Sequence, residues 1–98
     1  MIIVTGHLTV KPGQRQRHLE LSAEAVQRAR ESAQCLDYSV SPDPQNPARV
    51  NISERWTDRG SLDAFRGAGP NSELANLIAD YAVDEYDVPE PHFPESDE

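Results

Sequence analysis

Residues 51–65, NISERWTDRGSLDAF, change from one periodicity to another within a few positions. Up to Trp56 the pattern repeats every second residue. Val50, Ile52, Glu54 and Trp56 share one face, and Asn51, Ser53 and Arg55 share the other. That alternation predicts a strand over 49–57 with one buried side. Asp58 to Gly60 make a turn, and Ser61 caps a short helix carrying Leu62 and Phe65. The stretch therefore reads as strand, turn, helix, with a glutamate and the chain's only tryptophan at the strand's end.

Toward the N-terminus the same two periods recur. Residues 35–41, CLDYSVS, alternate, with Leu36, Tyr38 and Val40 on one face and Cys35, Asp37 and Ser39 on the other. A proline-rich turn, PDPQNP, separates them from the 49–57 strand. Residues 14–33 have helical composition, with Leu19, Ala23, Val26 and Ala33 near the helical period and Ala29 beside them. Residues 2–10 form a first strand, with Ile2, Val4, Leu8 and Val10 on the face that includes Gly6. Ile3, Thr5, His7 and Thr9 lie on the other face.

Toward the C-terminus, GAGP at 67–70 breaks the short helix. Asn71 or Ser72 caps a second one, in which Leu74, Leu77, Ile78 and Tyr81 fall at i, i+3, i+4 and i+7. Residues 83–88 make a last strand that Pro89 ends. The order β-α-β-β-α-β predicts an α+β fold, a ferredoxin-like sandwich with an antiparallel sheet and both helical regions on one face. Residues 1–88 form this domain, and 89–98 an acidic, proline-rich tail.

The chain has 98 residues and a net charge of −8, but seven of its 17 acids lie from Asp84 onward. The remaining body has ten acids against nine bases and is close to neutral. It has no basic stripe, so nucleic acid is not expected as a partner. No apolar run approaches the roughly 20 residues of a membrane span, and the first residues read as strand, not as a secretory leader. A single cysteine permits no internal disulfide and suits the cytoplasm.

The segments VTGHLTVKPGQRQRHLEL, CLDYSV and ISERWTDRGSLDAF resemble the antibiotic biosynthesis monooxygenase family. The likeness covers residues 2–83. It implies a dimeric α/β barrel, two ferredoxin-like units packed sheet to sheet. Members include cofactor-independent oxygenases of aromatic polyketides and haem-degrading relatives. The resemblance implies no cofactor and a small aromatic or quinone-like ligand, with Trp56 lining the pocket. The chain departs from the pattern in having no histidine between Trp56 and His92, and Gly6 at the first-strand position where haem-degrading relatives carry asparagine. Haem degradation is therefore not expected.

Trp56 has two readings, a core anchor or a pocket wall. Glu54 is either a base, its pKa raised by burial, or a structural residue that pairs with an arginine or caps a backbone group. Tyr38, Ile52, Phe65 and Tyr81 are the expected substrate-contacting residues, and their alternative is plain core packing. His7 is expected to hydrogen-bond at an interface. Three scattered histidines and one cysteine give no metal-ligand spacing. The expected function is that of a cofactor-independent monooxygenase, and the alternative is a non-catalytic dimeric binding domain of the same fold. The sheet face bearing Ile3, Thr5, His7, Thr9, Asn51, Ser53 and Arg55 is the expected homodimer interface.

Overall fold

The computed structural model describes residues 1–67 and 72–89. Its elements are β1 (Ile2–Val10), α1 (Arg15–Arg30), β2 (Cys35–Pro42), β3 (Arg49–Trp56), α2 (Arg59–Arg66), α3 (Ser72–Asn76) and β4 (Ile78–Asp87). The sheet has four strands in the order β2-β3-β1-β4, and every neighbouring pair is antiparallel. This is the α+β ferredoxin-like plan. Residues 68–71, where the helix break and the Asn71 cap are expected, and residues 90–98, the expected tail, lie outside the described residues.

Strand register sorts the side chains into rows. Tyr38, Glu54, Val4 and Glu85 stand side by side across the sheet, and so do Cys35, Trp56, Ile2 and Asp87. Both rows lie on the helix-bearing face. The core on that face contains Ile2, Val4, Ala29, Trp56 and Leu62, with Cys35, Tyr38, Phe65 and Val83 packed against it. Burying these side chains is the main favourable term in holding α1 and α2 on the sheet.

Four expectations need correction. Cys35 was placed on the open face and Leu36 on the buried one. Between Cys35 and Asp37 the ladder with β3 shifts register, so Leu36 is a bulge residue. It is 46% exposed, while Cys35 turns to the core. In α1 the buried residues are His18, Ser22 and Ala29. Leu19 and Val26 are half-buried, Ala23 is exposed and Ala33 lies past the helix end. None of the three buried residues is a large apolar one, and Leu19 and Val26 lean toward β2. Helix α2 starts at Arg59, and its cap is Asp58, whose carboxylate accepts from the Ser61 backbone N–H at 2.7 Å.

The fourth correction is the largest. The helix expected through Tyr81 stops at Asn76, and Ile78 opens a ten-residue β4. Leu77 O accepts from Lys11 N at 2.8 Å, which fastens the start of β4 to the end of β1. A strand beginning only at 83 would leave the outward backbone groups of β1 from His7 to Thr9 unpaired. Completing that ladder outweighs the helical spacing of Leu74, Leu77, Ile78 and Tyr81.

Candidate functional site

Strand β3 delivers two neighbours on one face. Glu54 is 8% exposed and Trp56 is fully buried. The indole Nε1–H of Trp56 donates to Glu54 Oε1 at 3.0 Å, a buried bond between residues two apart on the same pleat. Among the described residues no protein donor reaches Glu54 Oε2.

Two aromatic rings cover this pair. Phe65, on the last turn of α2, lies 5.2 Å from the Trp56 ring at a 39° tilt. Tyr38, on β2, meets Phe65 edge-on at 5.6 Å. Such tilted and edge-to-face contacts are the favourable geometries for aromatic pairs. The Arg28 guanidinium carbon stands 4.6 Å from the centroid of Phe65 and closes the outer side.

Burial, above all, pushes the Glu54 carboxyl above its usual range. The Glu85 carboxylate adds to this, while the Trp56 hydrogen bond and the Arg66 charge oppose it. Burial, with a further push from Glu54, raises the Tyr38 phenol to about 12. Tyr38 is thus a neutral hydroxyl at ordinary pH, able to donate a hydrogen bond. Glu54 is the group whose protonation is adjustable.

A clasp holds α2 over the pair. Glu85 on β4 receives Arg59 on one oxygen and Arg66 on the other, each at 2.6 Å. Of the expected site residues, Glu54, Trp56, Tyr38 and Phe65 come together. Ile52 lies one row away on the same face, beside Val40 and Gly6. Tyr81 stands opposite Leu8 on the edge strand and is 69% exposed, apart from the cluster. Arg28, Glu85 and the arginines of the clasp were not anticipated. The alternation of Val83 and Glu85 was the available signal for Glu85.

Gly6 has φ +152°, and a Cβ there would collide with the Ala82 carbonyl oxygen and crowd Val83 Cα at 2.7 Å. No side chain, the asparagine of haem-degrading relatives included, fits on this backbone. The described residues contain no group of three His, Cys, Asp or Glu placed to hold a metal ion.

The fold has solved counterparts. A conserved protein from Methanosarcina mazei is 26% identical, with a TM-score of 0.75 over 87% of this chain and 89% of its own. A candidate antibiotic biosynthesis monooxygenase from Chloroflexus aurantiacus is 25% identical, with a TM-score of 0.73 over 94% and 96%. The likeness to one from Deinococcus radiodurans, TM-score 0.80 over 98% and 100%, is of fold, the identity being 24%. Among curated proteins, an uncharacterised Synechocystis protein is 29% identical over 62 residues. Those residues are 63% of this chain and 42% of that protein, so the chain matches under half of its relative's length. Residues 1–73 match the family model described as antibiotic biosynthesis monooxygenase, and the chain belongs to that family.

Proposed function

We propose that the protein is a cofactor-independent monooxygenase of small aromatic or quinone-like substrates, acting as a cytoplasmic homodimer. The observation that carries this is the Glu54–Trp56 hydrogen bond, buried under two aromatic rings. A carboxylate with a raised pKa and one unengaged oxygen is suited to general-base work. In this reading the substrate approaches past Phe65 and Tyr38, the half-buried rings. Glu54 Oε2 takes an acidic proton from the activated carbon or phenol of the substrate. Trp56 Nε1–H holds the carboxylate in place, and Tyr38 donates to the electron-rich ring. The anion then transfers an electron to dioxygen, the two radicals combine at carbon as a peroxide anion, and Glu54 returns its proton to give the hydroperoxide. Loss of water leaves a carbonyl. One oxygen atom stays in the product, the other leaves as water, and the substrate supplies all the electrons.

Oxygen consumption with a panel of anthrones and hydroquinones tests this. Turnover should disappear in Glu54→Gln and fall in Trp56→Phe. Activity equal in wild type and both variants overturns it. A second reading, a non-catalytic binding domain, is favoured by one observation: Trp56 is wholly inside the core. No turnover on any of these substrates would support it.

The open face of the sheet supports the dimer. Register places Ile3 beside Tyr86, Thr5 beside Ser53 and His7 between Asn51 and Ala82 there. Tyr86 is 50% exposed. Asp37 stands opposite Arg55, yet no ion pair joins them among the described residues. Such a mixture of apolar and hydrogen-bonding groups suits an interface, and a standard one buries about 1,600 Å². Sedimentation equilibrium should give a dimer at micromolar concentration, with a melting temperature that rises with protein concentration. A monomer with an intact cooperative melt refutes it. No described helix is long and apolar enough to cross a membrane.

A further inference from the structure

A concavity lies away from Trp56, between α1 and the edge strand β2. It is an open groove of about 550 Å³, within the roughly 300–1,000 Å³ range of small-molecule sites. Leu19, Ala23 and Val26 line one wall, Val40 and Pro42 the other, and Arg30 stands at one end. These are the apolar residues of α1 that do not face the sheet centre.

Arg30 is fixed. Its Nε and Nη2 both donate to Tyr38 O, at 3.2 and 2.9 Å. No carboxylate lies within ion-pair distance of it among the described residues. A guanidinium already held in one geometry loses little freedom on meeting an anion.

The bonds from Arg30 also show that the Tyr38 carbonyl points out of the sheet edge. By strand alternation, the backbone N–H and C=O of Val40 point the same way. The edge is closed on both sides of Val40, by Arg30 at Tyr38 O and by Pro42, which has no N–H. One free donor–acceptor position is too little for a paired peptide strand. It is enough for the head of a small molecule.

We propose that this groove binds an amphiphilic monocarboxylate. Its apolar body lies on Leu19, Val26 and Val40, and its carboxylate takes hydrogen bonds from Arg30 Nη1 and the Val40 N–H. The groove's lining includes none of Glu54, Trp56 and Phe65 and shares with their cluster only the Tyr38 backbone that holds Arg30, so the site does not require the cluster to be catalytic.

The test is an amide-shift NMR titration of the isotope-labelled full chain with decanoate, decanol and decylamine, each below its micellar concentration. Decanoate should give saturable shifts in residues 19–30 and 38–42, decanol weaker ones there, and decylamine none. Arg30→Gln should weaken decanoate about tenfold, the loss of one charge-assisted contact, and leave decanol unchanged. Ala23→Gln, at an exposed helix position, should weaken both without disturbing the fold. Absence of saturable shifts in these segments overturns the proposal. So do shifts centred on Phe65 and Trp56, equal binding of decylamine, or unchanged decanoate affinity in Arg30→Gln.

Discussion

Replacing Glu54 by glutamine should make the protein more stable at neutral pH. The side chain is 8% exposed, and its carboxyl titrates above the usual range because burial penalises the charge. A buried carboxylate forfeits several kcal/mol of hydration. The hydrogen bond from Trp56 Nε1 returns about 1.5–3 kcal/mol, and the Arg66 charge returns a little more. Glutamine has nearly the same shape, its carbonyl still accepts from the indole, and it carries no charge. The expected gain is on the order of 1–2 kcal/mol at pH 7–8, a rise in melting temperature of roughly 4–8 °C for each kcal/mol in a domain of this size. The pH dependence has a definite sign. With the folded pKa raised above the unfolded one, the contribution of Glu54 to stability is fully present below about pH 4.5 and is lost as pH rises through the folded value. The advantage of Glu54→Gln should therefore grow with pH, by at most about 1.4 kcal/mol per unit, and vanish near pH 4. Urea melts of both proteins at matched concentration from pH 4 to 8 measure it. A variant less stable than wild type at pH 7.5 would refute the reasoning, because the ionised carboxylate would then be a structural partner of Trp56 and Arg66.

His18 is 2% exposed, neither ring nitrogen has a hydrogen-bond partner among the described residues, and burial holds its pKa below the ordinary value of 6.5. Both folded and unfolded chains carry it neutral above pH 6.5, and below that the unfolded chain takes up the proton first, so stability should fall on acidification. His18→Leu should remove this dependence and add about 1–2 kcal/mol, read from thermal melts between pH 5 and 8. Gly6→Ala should cost upward of about 3 kcal/mol, because the new methyl meets the backbone of β4 and not a movable side chain; a urea midpoint within error of wild type would contradict this. Glu85→Gln should cost about 1 kcal/mol or less, since its arginine partners are 46% and 42% exposed. That loss should shrink in about 1 M salt.

The sequence carried the element order and the inward face of β1 and β3 because alternation is strict there: Ile2, Val4, Val50, Glu54 and Trp56 all lie where period two places them. It failed where the chain departs from a uniform period. One extra residue at Leu36 moves Cys35 to the other face, and alternation contains no sign of a bulge. Tyr81 fits a helical stripe, but pairing with β1 is a long-range condition that no local window sees. The α1 stripe is misread by about one position because its buried residues are a polar ring, His18, and two small side chains, Ser22 and Ala29, and none of these is marked by hydrophobicity. The site was half legible. Glu54 and Trp56 are neighbours in sequence, and Phe65 closes the same quoted stretch. Arg28 and Glu85 reach the cluster only through tertiary packing.

Size and core composition bear on the dimer. Among the described residues the buried apolar side chains are Ile2, Val4, Val10, Ala29, Val50, Trp56 and Leu62, and Trp56 is the largest of them. The same core holds His18, Ser22 and Glu54, and two of these are ionisable groups that burial makes unfavourable in their charged forms. A chain of 98 residues buries a smaller share of its surface than a larger domain does and has little stability to spare. One face of the sheet is covered by helices, while the other presents Ile3, His7 and Tyr86 with no described element of the same chain packed on it. Burial of that face against a second copy would add apolar contact where the monomer has none, on the side opposite the ionisable groups. Association would then offset the cost of keeping Glu54 charged under Trp56 and Phe65. The concentration dependence of the melt and the stability of Glu54→Gln are on this reasoning linked: the variant should hold its fold at dilutions where a dimer of the wild-type chain would dissociate and melt.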